Sequence, residues 1–307
     1  MVRCNSSIDQ VTEFILVGFP YLHGYQPVLF IIFLVIYIVI LGGNISILIA
    51  VVTDQKLHKP MYFFLCNLAV LDLIFTTSII PKMLALFLIN ANTISFTACF
   101  VQMCLSHTMG LFECFLLMVM AYDRYVAICN PLQYFSIMNN RFNILTAFSS
   151  FAVACTVIVS LSIFTAQFPY SGPSQINHCF CDHFVIARLS CADITPLIIW
   201  AMSIIVVLVS TPFALVIFSY INIIRTVLQI RSTTGRKKTF STCSSHLTVV
   251  SIYYMSIVIS FSSYGAEVSD EVHALGTIFF SVFAPALNPV IYTLRNKDVR
   301  EGIKNVI

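Results

Sequence analysis

Seven long apolar runs constrain this chain more than any other feature. They fall at about 26–52, 61–80, 97–121, 142–165, 196–224, 240–263 and 273–293. A helix that crosses a bilayer needs roughly 20 apolar residues. Lipid offers the backbone no hydrogen-bond partner, so each run must satisfy its own peptide groups. The pattern predicts an all-α membrane protein, a seven-transmembrane helix bundle. Composition agrees: 59% of residues are hydrophobic and only 9% are charged, against about 25% charged in a typical soluble domain. Asp9, Glu13 and Pro20 interrupt the first 25 residues, so no cleavable signal segment is expected. The first run is too long for a signal's apolar core and would itself direct insertion.

The placement of Lys and Arg orients the bundle. Of the 16 basic residues, only Arg3, Lys82 and Arg188 lie on the side of the N-terminus; the other 13 lie on the opposite side. Basic residues in short loops mark the cytoplasmic face, so the N-terminus is expected outside and the C-terminus inside. The expected organisation is an extracellular segment 1–25, a seven-helix bundle 26–293 and a cytoplasmic tail 294–307 with a short amphipathic helix after the seventh span. Asn5-Ser6-Ser7 is a glycosylation sequon on the outer side, where the modification occurs.

Polar groups in hydrocarbon are costly and usually mark function. Asn44 lies in the first run, Asp72 in the second, Glu113 in the third and Asn288 in the seventh. All four should face the interior. They could form a hydrogen-bond network that fixes packing, or the two acids could share a proton or hold Na⁺. Asp123-Arg124 closes the third run, where the Arg can pair with its neighbour or with the sixth span. Pro289 interrupts the seventh run between Asn288 and Tyr292, freeing a carbonyl and permitting a kink.

Asn44, Asp72, Asp123-Arg124-Tyr125 and Asn288-Pro289-x-x-Tyr292 stand in the order seen in rhodopsin-like G-protein-coupled receptors. Longer strings narrow the match: Leu57-His58-Lys59-Pro60-Met61-Tyr62, Met120-Ala121-Tyr122-Asp123-Arg124-Tyr125-Val126-Ala127-Ile128-Cys129, Ser219-Tyr220, Lys238-Thr239-Phe240-Ser241-Thr242-Cys243-Ser244-Ser245-His246-Leu247 and Pro285-Ala286-Leu287-Asn288-Pro289. Over nearly the whole chain these resemble the signature set of the vertebrate odorant receptors. The resemblance implies a plasma-membrane receptor of olfactory neuron cilia that binds a small volatile odorant and activates a stimulatory heterotrimeric G protein, raising cyclic AMP. It implies membrane lipid as a further partner and no nucleic acid. No cofactor is expected apart from a Na⁺ that Asp72 and Glu113 could hold.

The resemblance also implies a disulfide between Cys99 and Cys181. The long outer loop departs from the family pattern: Ser171 stands where a Cys usually precedes Gly172-Pro173, and Cys179-Phe180 replaces an aromatic pair. Cys191 thereby loses its usual partner, and Cys179 is the candidate replacement. His178-Cys179-Phe180-Cys181-Asp182-His183 carries ligand types that suit Zn²⁺ or Cu⁺. Its spacing is tighter than that of structural zinc motifs, and loop disulfides are the better-founded use, so no metal is expected.

In the third run Met103, Ser106, His107, Gly110 and Leu111 recur at helical spacing and share a face. In the sixth, Tyr254, Ile257, Val258 and Phe261 do the same. Such stripes are usually core. The resemblance makes them walls of an odorant cavity, joined by Ile205 and Ile278. Ser106, His107 and Tyr254 would supply polar contacts, and Gly110 would leave room for the ligand. These faces hold no Lys or Arg, which favours a neutral ligand. Arg124 and His246 are the candidate contact that closes the inner end at rest, with Tyr125, Tyr220, Asn288, Pro289 and Tyr292 in the coupling region. The rival class is a cation- or proton-coupled transporter or channel using Asp72 and Glu113. An enzyme is not expected: H-E-x-x-H, G-x-S-x-G and phosphate-loop motifs are missing.

Overall fold

The computed structural model describes residues 11–170, 174–229, 232–265 and 270–304. Seven helices in it are long and apolar enough to cross a membrane. They run Gln26–Thr53, Pro60–Ile89, Phe96–Cys129, Asn140–Ala166, Thr195–Gln229 and Thr233–Gly265, with the seventh span at Val272–Arg295. The third is the central pillar: 72% of its most apolar window is buried, against 17% of the first and of the fifth. Its 34 residues give a rod of about 51 Å at 1.5 Å per residue, longer than the hydrocarbon layer, so both ends reach polar surroundings.

The ends of the spans follow local chemistry. Ser95 caps the third span by accepting from the Ala98 N–H at 3.3 Å, and Asn139 caps the fourth by accepting from Phe142 N–H at 2.9 Å. Pro60 opens the second span, where its missing N–H costs nothing. The second helix does not stop near residue 80, as its apolar run suggested. It continues through Pro81 to Ile89 and ends at Asn90 in the left-handed conformation, φ 52°. Lys82 therefore lies within the helix. Its ammonium reaches past the last turn to the carbonyls of Ala91 and Thr93, at 2.8 and 2.6 Å, the behaviour of a long stem that seeks the polar end.

The seventh span is composite: a helix Asp270–Ile278, a wide π turn Phe279–Phe283 and a helix Ala284–Arg295 that contains Pro289. A short helix Lys297–Lys304 follows, as expected, and buries Val299. It lies so close to the end of the first span and the turn after it that a Cβ at Gly302 would sit 3.5 Å from Ala50 Cβ and 2.9 Å from Leu57 Cδ1.

A small sheet caps the end that carries the N-terminal segment, and the helical patterning gave no sign of it. β1 (Glu13–Leu16) pairs antiparallel with β2 (Thr93–Ser95), with Phe14 opposite Ile94, and parallel with β3 (Gln175–Ile176). Phe14 is fully buried, stacked on Phe96 at 5.7 Å and edge-on to Tyr170 at 6.0 Å. Residues 13–16 are thus part of the packed structure.

Close approach at Gly43 joins the first and seventh spans. A Cβ there would meet Pro289 Cβ at 2.7 Å, while Gly42 has nothing within 4 Å. Gly43→Ala is expected to cost about 1–3 kcal/mol through overpacking and to lower the thermal unfolding midpoint of the detergent-purified protein. Gly42→Ala, one position round the helix, is expected to leave that midpoint where it is.

Candidate functional site

A cavity of about 100 Å³ opens chiefly among the third, fifth, sixth and seventh spans, with Phe75 of the second and Ile158 of the fourth completing its lining. One water needs roughly 10–15 Å³ of such space, so there is room for a small organic molecule. Ser106, His107, Gly110 and Leu111 line it from the third span, Ile205 from the fifth and Ile257 from the sixth. The structure thus brings six of the singled-out residues together.

The others lie elsewhere. Met103 is fully buried behind the wall, where its carbonyl accepts from Ser106 Oγ at 3.1 Å and His107 Nδ1 at 2.9 Å. Ile278 is buried but does not reach the cavity. Val258 is 57% exposed on the outer surface. Tyr254 turns toward the fifth span, its ring 4.5 Å from Phe213 and its hydroxyl 3.3 Å from Cys114 Sγ. The side chain of Phe261 lies outside the described residues. The wall of the sixth span is Tyr253, Ile257 and Ser260, spaced i, i+4, i+7. The stripe read from the sequence was therefore out of phase by part of a turn, about 100° for one residue. In a helix apolar nearly all round, the cavity face has no distinguishing hydropathy. Gly110 also serves a different neighbour from the one expected. A Cβ there would meet Phe280 Cζ at 3.2 Å, and its carbonyl accepts from the Tyr253 hydroxyl at 2.7 Å.

The loop over the cavity is pinned at several points. Cys99 and Cys181 form a disulfide. Gln102 ties the same loop to two spans: its Oε1 accepts from Cys181 N–H at 3.0 Å and its Nε2 donates to the Ser78 carbonyl at 2.8 Å. His178 faces the Thr277 hydroxyl at 2.6 Å through Nε2. The Thr277 proton is directed to the carbonyls of His273 and Ala274. His178 therefore donates from Nε2, while its Nδ1 accepts from Phe180 N–H at 3.3 Å. A neutral ring satisfies both contacts, and burial pushes its pKa down to about 4. Burial likewise holds His183, 3.4 Å from Ser162 Oγ, at about 3.

Two of these loop residues, Phe180 and Asp182, line the cavity. Asp182 entered the sequence reading only within the His178–His183 string and not as a cavity residue, because nothing in the linear string placed it against the third span. It accepts from Phe184 and Val185 N–H groups through Oδ1, and His107 Nε2 lies 3.4 Å from its Oδ2. His273 Nε2 is 3.9 Å from Oδ1. Burial would raise its pKa, but the neighbouring imidazoles of His107 and His273 outweigh that and hold the carboxyl well below the usual range.

The expected Cys179–Cys191 pair is not formed. Cys179 is a buried free thiol, raised in pKa by burial. Cys191 is disulfide-bonded, and its partner is not among the described residues. The string His178–His183 does not converge on a point: His178 is committed to Thr277, Cys181 to the disulfide and His183 to Ser162.

Below the cavity, one amide bridges two acids. Asn288 Nδ2 donates to Asp72 Oδ1 and Oδ2 at 3.3 and 3.1 Å and to Glu113 Oε1 at 3.1 Å. Glu113 Oε2 has no hydrogen-bond partner among the described residues. Asn44 turns its amide back to the Ile40 carbonyl at 3.0 Å, and Tyr292 is fully buried.

At the far end of the third span Arg124 is held by Asp123, with Nε 2.9 Å from Oδ2 and Nη2 on the same oxygen. Tyr134, on the following loop, donates to Asp123 Oδ1 at 2.8 Å. Burial, then the charge of Asp123, raises the Tyr134 hydroxyl, which keeps it a donor. His246 pairs with Tyr220 rather than with Arg124: its Nδ1 is 2.7 Å from the tyrosine hydroxyl and the rings stack. Asp123 is adjacent and charged, so it takes the guanidinium first. Tyr125 is half-buried beside Tyr122. The side chain of Lys238 and the Asn5 sequon lie outside the described residues.

A sequence profile described as olfactory receptor matches residues 33–307. The chain is similar to human olfactory receptor 2AT4, 45% identical over 99% of this chain and 95% of that one. It is 40% identical to mouse olfactory receptor 10D1B over 98% and 96% of the two chains. Human olfactory receptor 3A1 is 42% identical over 95% and 93%.

The cysteine chemistry can be read directly. Alkylation of the denatured, unreduced protein is expected to label Cys179 and to spare Cys99, Cys181 and Cys191, which should become reactive only after reduction. Peptide mapping that found Cys179 protected would contradict the free thiol.

Proposed function

The chain belongs to the olfactory receptor family of G-protein-coupled receptors, and on that premise we propose that it binds a small neutral odorant in the cavity and activates a stimulatory heterotrimeric G protein, raising cyclic AMP. It is a multi-pass plasma-membrane receptor, so the transporter reading falls away. The observation that carries the proposal is the cavity itself, walled mainly by the third, fifth, sixth and seventh spans and roofed by a loop that a disulfide ties to the third. Cavities of this kind, apolar with a few polar groups, are the usual small-molecule sites of helical bundles.

The distribution of Lys and Arg supports an outer cavity end and an inner Arg124 end. Family membership supports a location in olfactory neuron cilia, and the outer side is where Asn5 would be glycosylated. A ligand that packs between the third and sixth spans favours one of two helix arrangements. Arg124 with Asp123, and His246 with Tyr220, are the contacts at the inner end whose exchange would admit the G protein. Asp72, Glu113 and Asn288 fit a Na⁺ site: two carboxyl groups converge, and the buried Glu113 Oε2 offers a further oxygen ligand.

A cyclic-AMP assay in cells expressing the chain, run against a broad odorant panel, tests the reading. A ligand-dependent rise that Arg124→Ala abolishes at equal surface level is expected. Carboxylic acids are expected to rank below neutral compounds, and an acid as the strongest agonist would refute the neutral-ligand reading. Gly110→Val, which fills cavity space and crowds Phe280, is expected to weaken the best agonist roughly tenfold or more, since one methylene in such a pocket is worth about 1–3 kcal/mol. His246→Ala is expected to change basal signalling, and unchanged basal and ligand-driven signalling would remove His246 from the switch.

A further inference from the structure

A second, smaller chamber adjoins the cavity. It measures about 40 Å³ and lies between the fourth and fifth spans, with the loop helix His183–Ala187 as a further side. At roughly 10–15 Å³ per water, it has room for about three. Leu161, Ala187, Leu197 and Ala201 line it and form a small apolar cluster of their own, apart from the main core. Its described lining holds no Asp, Glu, Lys or Arg. Beyond His107, its polar residues are Thr165 and His183. The Thr165 hydroxyl donates to the Leu161 carbonyl at 2.8 Å, and His183 Nε2 lies 3.4 Å from Ser162 Oγ. The main cavity differs, because Ser106, Asp182, Tyr253, Ser260, Thr277 and Ser281 all line it.

Three side chains line both chambers and form the partition between them: His107, Ile158 and Ile205. Two of the three are fixed. His107 Nδ1 lies 2.9 Å from the Met103 carbonyl and its Nε2 3.4 Å from Asp182 Oδ2, and Ile158 is buried. Ile205 has no polar atom to tether it and is half-buried. It stands on the fifth span, whose most apolar window is only 17% buried. Side chains in a packed interior still exchange rotamers, so Ile205 is the member of the partition that turns aside at least cost.

We propose that the side chamber is the tail end of the ligand site. The receptor takes elongated neutral ligands whose polar group stays in the main cavity and whose unbranched hydrocarbon chain passes Ile205 and ends against Ala187 and Ala201. The inference rests on the main cavity being the odorant site. Each methylene that leaves water for such a wall is worth roughly fourfold in affinity, so the chamber rewards length until it is full. A branch at the partition meets His107 and Ile158, which do not yield. The two alanines set where the chain must stop.

The test is the cyclic-AMP assay with straight-chain neutral compounds that share one polar end group and lengthen by one carbon at a time, each beside a branched isomer. It is run on the wild-type receptor, on Ala201→Leu, which fills the chamber, and on Ile205→Ala, which thins the partition. Wild-type potency is expected to climb roughly fourfold per carbon over part of the series and then to fall, with branched isomers weaker. Ala201→Leu is expected to move the optimum to a shorter chain. The longest active members should lose roughly tenfold or more, the worth of about two buried methylenes. The shortest should keep wild-type potency, which shows that folding and coupling are intact. Ile205→Ala is expected to narrow the gap between branched and straight isomers. If Ala201→Leu does not reach the cell surface, Ala187→Val narrows the chamber from the loop side, with the same outcomes expected. An unchanged length optimum, or an equal loss at every chain length at equal surface level, would overturn the proposal while leaving an odorant receptor standing. So would a wild-type receptor that answers other odorants but not this series; silence toward every odorant would count against the receptor reading itself.

Discussion

Hydrocarbon does not hydrogen-bond, and most of this structure is a response to that. Every span satisfies its backbone internally. The same pressure acts on side chains: Ser and Thr hydroxyls throughout the spans turn back on carbonyls three or four residues earlier, as Ser46, Thr53, Thr146 and Ser203 do. Groups too polar for such self-service, Asp72 and Glu113, are gathered on Asn288 instead.

The third span carries specific interactions at every level of the bundle. Cys99 and Gln102 hold the loop, Ser106 to Leu111 form the cavity wall, Glu113 joins the polar core and Arg124 closes the far end. Because interiors pack densely and shift between discrete arrangements rather than deforming smoothly, a change at the cavity wall has a direct mechanical route to Arg124. The fifth and sixth spans are linked at that far end by Tyr220 and His246, so the rod and the two helices beside it carry separate latches.

What could be read from the sequence was set by the length scale of each signal. Seven apolar runs are a coarse, redundant signal, and all seven helices are present. Their ends were less legible, because Pro81-Lys82 interrupts the apolar run while the helix, free to lose one hydrogen bond, continues through it. The β1–β2–β3 sheet escaped notice because strands of two to four residues carry no periodicity. On the third span, where polar residues mark the inward face, the wall was found. On the sixth, choosing Tyr254 over Tyr253 needed the packing of Phe213 and Gly110. Asp182 and the Tyr220–His246 pair are contacts between segments far apart in the chain, and a single sequence holds no trace of such distances.

The π turn at Phe279–Phe283 holds one residue more than the α-helical turn it replaces. That surplus is slack. It can be passed along a helix by trading one backbone hydrogen bond for the next, and each step turns the side chains it crosses by about 100° without moving the helix ends. Phe280, in contact with Phe75, Tyr253 and the approach to Gly110, sits in this stretch. The aromatic floor of the cavity is thus mounted on the π-helical stretch of the seventh span, and a shift of that surplus residue along the helix would carry Phe280 with it and reshape the chamber.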